Sequence, residues 1–347
     1  MLKEVNIDNS NKILSLTKCG DLFTNNKDIA KKEYRELCWT WFPDNLSNDK
    51  KSLGEEVSKK INQLYEEAKK CFATNKWEIS NVLFFNDIDN KKYSITYLKD
   101  ISNEMGITYI GETSLTYVIE KSKEKYYNAY IENINNLKFA DDNMKIEFQR
   151  LLPKIYKNTK DDRGNYCIVL QKTSDVFCLR DILNYYNNKI PHNHVAWIIS
   201  RLMNLLCFLE FNHLSHNGIT IDNCYISPKY HTIMIYGGWW YAKEIGTKML
   251  GTTKEIYDVM PLLNKNTKIS NISTDIESVK LIGRILLGNK SVVSLDNEIP
   301  KAFRDWLSNG SKKSAFIEFD MWTKALFNSY GKRSFKEMEI NKTNIYN

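Results

Sequence analysis

The chain has 347 residues, 42% of them hydrophobic and 26% charged, with a net charge of +7. That length supports two or three domains with real cores, and that balance excludes a disordered or fibrous chain. The positive excess is small for the size, and lysines are interspersed with acidic residues, so it reads first as a well-solvated Lys-rich surface, with acidic partners or a nucleic-acid surface as the weaker alternative.

The seven cysteines (Cys19, Cys38, Cys71, Cys167, Cys178, Cys207 and Cys224) are odd in number, widely spaced and free of any Cys-x-x-Cys. They read as reduced thiols of a cytoplasmic protein rather than a disulfide framework or a zinc site. The first residues, Met1 to Asn6, lack an apolar signal core. The longest apolar stretch, Val195 to Phe211, is interrupted by Arg201, Asn204 and Glu210, and reads as a buried helix too short and too polar to span a membrane. No membrane association is expected.

In chain order, residues 10–75 read as helical. Ile29, Tyr34, Leu37, Cys38 and Trp41 recur at helical spacing. Pro43, Asn45, Asn48 and Gly54 break the pattern. A second helix runs from about Leu53 to Phe72, with Val57, Ile61, Leu64, Tyr65 and Ala68 on one face. Residues 77–172 read mostly as strands: Tyr93–Leu98, Ile107–Ile110, Leu115–Ile119 and Tyr166–Leu170, with a helix near Asn143–Ile155. Residues 175–340 read mostly as helices, at Leu179–Tyr186, His194–Leu214, Asp275–Leu287, Phe303–Ser308 and Phe316–Phe327. A strand pair, Cys224–Ile226 and Thr232–Tyr236, interrupts them.

Lys31-Lys32-Glu33-Tyr34-Arg35-Glu36-Leu37, the Phe42-Pro43-Asp44 loop and Lys60-Ile61-Asn62-Gln63-Leu64-Tyr65 together resemble a J domain, the module by which co-chaperones engage DnaK-type ATPases. The family pattern is a basic helix with Tyr-Arg-x-Leu, then His-Pro-Asp. The resemblance implies a chaperone-binding surface of Lys31, Lys32, Arg35, Pro43 and Asp44. It departs at Phe42, where a phenyl ring replaces the imidazole donor and adds an apolar group. That puts stimulation of a chaperone ATPase in doubt and leaves a second reading, a helix-packing module with Phe42 filling a core or an interface.

Residues 216–223, His-Asn-Gly-Ile-Thr-Ile-Asp-Asn, follow the long apolar helix and precede a short strand. They resemble the catalytic loop of protein kinases, His-Arg-Asp, four residues, Asn. His216 and Asn223 fit, but Gly218 stands where the catalytic aspartate should be, and glycine can accept no proton. Ser273 to Gly283 is similar to the large-lobe helix of that family, which implies that Asp275 holds the loop backbone. The resemblance covers roughly residues 90–340 and implies an α+β fold: an N-terminal helical J-like hairpin (10–76), then a strand-rich small lobe (77–172) and a helical large lobe (173–347).

Phosphoryl transfer rests on positioning and charge neutralisation. The parts for it are scarce. Gly106 and Gly111 have the wrong spacing for a phosphate-cradling loop. Lys121 and Glu147 are the candidates for the strand lysine and helix glutamate, with a surface location for both as the alternative. Asn223 either holds a cation through its carbonyl oxygen or ties the loop. Asp222 is the remaining nearby carboxylate, and no aspartate lies between Cys224 and Asp258, although magnesium needs oxygen ligands of that kind. In its place stand Gly237, Gly238, Trp239, Trp240 and Tyr241, aromatics suited to filling a cleft, stacking on a flat ligand or binding a peptide. His192 and His194 read as solvated loop residues.

The pairing looks like the J-domain/kinase-like fusions of bacterial and phage genomes. It implies a catalytically inactive protein that binds or scaffolds a protein partner, with a DnaK-type chaperone as the candidate and the cytoplasm, or a phage's host cytoplasm, as the location. No catalytic residue, metal ligand or cofactor is expected, ATP and magnesium included. Two rivals stand beside this reading: an atypical ATP-dependent phosphotransferase using Asp222 and Asn223, and a phage structural or assembly protein.

Overall fold

The structure, a computed structural model, describes residues 4–74, 77, 81–87, 89–332, 336–340 and 345–346. The chain divides into two compact units, one of Met1–Phe85 with Lys92–Lys99 and one of Asn86–Lys91 with Asp100–Asn347. The hairpin of β1 (Asn81–Asn86) and β2 (Lys92–Tyr97) thus groups mainly with the helical unit, whereas a boundary at residue 77 was expected. The second unit contains both the strand-rich and the helix-rich regions.

The first unit is built on α1 (Ile7–Ser15), α2 (Lys27–Thr40) and α3 (Lys51–Thr74). Asn6 and Asn26 cap the first two, their side chains accepting from backbone N–H groups of the opening turn. The apolar stripe of α3 is buried from Val57 to Cys71. It packs with Ile13, Phe23, Ala30, Leu37 and Trp41 in a separate small core. Tyr34 of α2 stacks on Tyr65 of α3 at 3.9 Å and donates to the Asn62 side chain at 2.8 Å, which fixes the pairing of the two helices. The core aromatic beside the loop is Trp41, fully buried; Phe42 is 49% exposed and fills no core. Helix α1 starts at Ile7, three residues before the helical region expected from residue 10.

In the second unit, β3 (Lys99–Asn103), β4 (Gly106–Ile110), β5 (Ser114–Ile119), β6 (Lys154–Lys160) and β7 (Tyr166–Gln171) form an antiparallel sheet. Its order is β3-β4-β5-β7-β6. Between β5 and β6 lie α4 (Glu124–Asn135) and α5 (Asp142–Gln149). The helix expected to reach Ile155 stops at Gln149, because Pro153 has no N–H and restricts the residue before it. β6 follows with alternating burial, the period of a half-covered strand.

The remainder is mostly helical. It comprises β8 (Phe177–Cys178), α6 (Leu179–Tyr185), α7 (His192–Phe211), β9 (Leu214–Ser215), β10 (Cys224–Ser227), β11 (Thr232–Ile235), β12 (Lys243–Glu244), α8 (Lys254–Val259), α9 (Leu262–Thr267), α10 (Ile272–Leu286), α11 (Lys301–Ser308) and α12 (Ala315–Tyr330). Strands β10 and β11 pair from Cys224 opposite Ile235 to Ser227 opposite Thr232. Helix α7 corrects an expectation: by length and hydropathy it does qualify as a membrane span, although 67% of its apolar window is buried inside the fold. Two of its charged residues find partners there. Arg201 donates to the His231 carbonyl at 2.9 Å, and Glu210 accepts from the Ala315 amide at 2.6 Å.

Candidate functional site

The loop after β9 is held from below. Asp275, at the start of α10, accepts from the His216 amide (2.6 Å), the Asn217 amide (2.8 Å) and the Ser215 hydroxyl (2.8 Å). Burial pushes its carboxyl up to about 6, opposed by these three donors. Asn217 is fully buried in left-handed backbone. Its amide donates to the carbonyls of Ser215 and Tyr241 and to the Ser270 hydroxyl, tying the loop to the segment after β11.

His216 is wholly buried with its ring edge-on to Trp239 at 4.8 Å. Neither ring nitrogen has a hydrogen-bond partner among the described residues, and burial holds its pKa down to about 3. The imidazole is therefore neutral and acts as a packing group. Asn223 donates from its side chain to the Gly218 carbonyl at 2.8 Å, and its own carbonyl accepts from the amides of Tyr236 and Gly237. Asp222 turns away and pairs with Arg180 through two hydrogen bonds of 2.9 and 2.8 Å. Nothing brings Asp222 and Asn223 together as a ligand pair.

The space above the loop is closed by backbone. A Cβ on Gly218 would lie 2.8 Å from the Gly238 carbonyl oxygen and 3.0 Å from its Cα. A Cβ on Gly238, which has φ +82, would lie 2.5 Å from the Gly218 carbonyl oxygen and 2.7 Å from the His216 ring. A Cβ on Gly237 would lie 2.2 Å from the Asn223 side-chain oxygen. No side chain fits at any of the three without displacement. Trp239, Trp240 and Tyr241 follow as a short helical turn, all nearly inaccessible.

Aromatic rings fill the volume between sheet and loop. Tyr117 of β5 meets Trp240 edge-on at 5.3 Å and Tyr130 of α4 at 5.9 Å; Tyr130 stacks on Trp240 at 5.7 Å. The Tyr130 hydroxyl donates to the Tyr236 carbonyl at 2.7 Å. Asn133, one turn on, donates to the carbonyls of Trp239 and Ala242. From the β3–β4 turn, Glu104 accepts from the Tyr241 hydroxyl at 2.9 Å, beside a buried Met105. Burial raises the pKa of Tyr117 and Tyr130 well above the usual phenol range, so both stay neutral.

In kinases a lysine on the third strand of the sheet pairs with a glutamate on the helix that follows. The side chains that meet from those two elements here are Tyr117 and Tyr130. Lys121 lies beyond β5 in a short turn, and Glu147 lies on α5; both are exposed, and no contact joins them. The tyrosine pair went unread because α4 went unread. Its signal was present, since Tyr127, Tyr130, Ile131 and Ile134 have helical spacing.

Magnesium and nucleotide phosphate do not fit this arrangement. The positions that face the loop from above carry no carboxylate and have no room for one, and among the described residues no cluster of three or more His, Cys, Asp or Glu could hold a metal.

On the first unit, Lys31, Lys32, Arg35 and Asp44 are exposed and Pro43 is half-buried. Trp39, 76% exposed, joins Arg35, Glu36 and Thr40 around a shallow groove of about 370 Å³. Trp39 was not singled out from sequence, where it reads as one more apolar position of a helix.

No protein-family model and no curated protein sequence matches the chain. Among solved structures it is similar to that of vaccinia related kinase 3, with a TM-score of 0.51 and 12% identity over 73% of this chain and 93% of that one. At that identity the likeness concerns the fold. The protein is an α+β chain with N-terminal helices followed by a protein-kinase-like fold.

Proposed function

We propose that this protein is a catalytically inactive kinase-like scaffold that works by holding a protein partner. The observation that carries this reading is the backbone-to-backbone packing of Gly218 against Gly238, with Gly237 against Asn223. The reaction requires a base for the substrate hydroxyl and oxygen ligands for magnesium at those positions. Losing two such groups removes several kcal/mol of transition-state stabilisation. The aromatic filling from Tyr117, Tyr130 and Trp240 supports the same reading, because it occupies volume that a phosphate chain would need.

The partner we favour is a DnaK-type chaperone, engaged through the J-like unit. Support comes from the joint exposure of Lys31, Lys32, Arg35 and Asp44 on α2 and its following loop. Phe42, in place of the family's histidine, argues for binding without strong ATPase stimulation.

Two assays test the proposal. Purified full-length chain is titrated with ATP and magnesium while melting is followed, and phosphoryl transfer to a generic protein substrate is measured. Stabilisation by nucleotide, together with transfer abolished by Asn223→Ala, would overturn inactivity. Binding to a DnaK-type chaperone is measured for the native chain, for Asp44→Asn and for Lys31→Glu/Lys32→Glu. Binding that ignores all these changes would remove the chaperone from the reading.

A further inference from the structure

The small core of the first unit contains two thiols in contact. Cys19, in the turn between α1 and α2, lies with its Sγ 3.6 Å from the Sγ of Cys71 in the last turn of α3. Both side chains are buried, Cys19 completely and Cys71 at 8% exposure. The two are 52 residues apart in sequence. The contact is therefore made by the tertiary fold, and every residue between them is described. Cys38, the third cysteine of this unit, is not part of the pair; it lies beside the Asn62 side chain at 3.9 Å.

We propose that Cys19 and Cys71 form a reversible oxidation site, closed to a disulfide by a small-molecule disulfide such as glutathione disulfide. The sulfurs need to approach by about 1.5 Å to reach a covalent S–S length. A terminal helical turn and a short 3₁₀ turn can supply that movement, since both lie at the ends of their elements.

The balance is simple. The Cys71 thiolate, the more accessible of the two, attacks glutathione disulfide, forms a mixed disulfide and releases one glutathione thiolate. The Cys19 thiolate then attacks the Cys71 sulfur, forms the internal bond and releases the second glutathione. The two protons lost by the cysteines end on the two glutathiones. The protein pair is oxidised by two electrons and glutathione disulfide is reduced by two.

The closed ring spans α2, the Phe42-Pro43-Asp44 loop and most of α3. Oxidation thus tethers the elements that carry the exposed Lys31, Lys32, Arg35 and Asp44 surface, and it lowers the conformational freedom of the unfolded unit.

The test uses the full chain, equilibrated in glutathione buffers of increasing oxidation, then alkylated under denaturing conditions and mapped by peptide mass spectrometry. Two of the seven thiols are expected to escape alkylation together and to appear as a Cys19–Cys71 linked peptide that dithiothreitol cleaves. The linked form should melt several degrees higher than the reduced one. Cys38→Ser should keep the link, and Cys19→Ser and Cys71→Ser should each lose it while remaining folded by circular dichroism. Separate glutathione adducts on Cys19 and Cys71, or full alkylation of both across the oxidising range, would overturn the proposal. Because the readout is covalent, it stands apart from any result on chaperone binding or phosphoryl transfer.

Discussion

Gly218 and Gly238 touch through their backbones, each so placed that a methyl group on either would enter the other's carbonyl oxygen. A kinase loop keeps space at this point for a carboxylate and a metal ion. Here the segment after β11 has settled into that space, and Asn223 and Asn217 bond it in place.

Gly218→Asp is therefore expected to give no phosphoryl transfer and to lower stability by about 2 kcal/mol, the usual size of overpacking in a full core. Denaturant unfolding together with a transfer assay checks both parts. A stable and active Gly218→Asp protein would mean that the gap opens readily.

The clamp from α4 should be measurable on its own. Asn133→Ala removes two donors, to the carbonyls of Trp239 and Ala242. The expected loss is about 1–3 kcal/mol. Hydrogen exchange should quicken first at residues 239–242, with β10 and β11 protected as before. A uniform rise across the unit would show that α4 does not hold this segment specifically.

His216 gives a pH signature. Its pKa is lowered by burial from the ordinary histidine value to about 3, so the folded form stays neutral where the unfolded form takes a proton. The stabilising contribution is complete above about pH 6.5 and falls as pH drops toward 3, by an order of a few kcal/mol in all. Asp275 works in the opposite direction. Its carboxyl is raised to about 6, so its contribution is present below about pH 4 and is lost as pH rises through 6. The two overlap, so the informative comparison is native against His216→Leu. Unfolding free energy between pH 6.5 and 4 should fall less steeply in the variant. Equal slopes would show that the imidazole is accessible in the folded state.

Lys280 and Glu318 form a fully buried ion pair at 2.9 Å, with the ammonium also donating to the Asn309 carbonyl and lying 4.8 Å above the Trp306 ring. Lys280→Met alone leaves a buried carboxylate unpaired and should cost about 3–5 kcal/mol. Lys280→Met with Glu318→Leu should recover most of that. Melting of the single and double variants decides it; an equally damaged double variant would point to packing rather than charge.

Much of the second unit was legible because its signals are local. The β10–β11 pair, α10 and the long α7 follow from alternation, spacing and a long, mostly apolar run, and Asp275 accepts from the His216 and Asn217 amides. What escaped is what depends on long-range pairing. Lys121 and Glu147 were chosen for their charge, yet the cleft is furnished by Tyr117 and Tyr130, neutral residues with no motif of their own. Asn217, at the arginine position of the His-Arg-Asp pattern, is a buried knot that donates to the Ser215 and Tyr241 carbonyls and to the Ser270 hydroxyl. The exposure of Trp39 and the burial of Trp41, two residues apart on one helix end, could be told only from the position of α3.

Asn217 has one more consequence. In many kinases the segment after the metal-binding strand is ordered when a phosphate group meets an arginine cluster, so its state can be switched by charge. A neutral amide with all its bonds made inside the protein offers such a group nothing to meet. At position 217 the segment after β11 is held by hydrogen bonds formed inside the fold, to Ser215, Tyr241 and Ser270, and not by a charge pair.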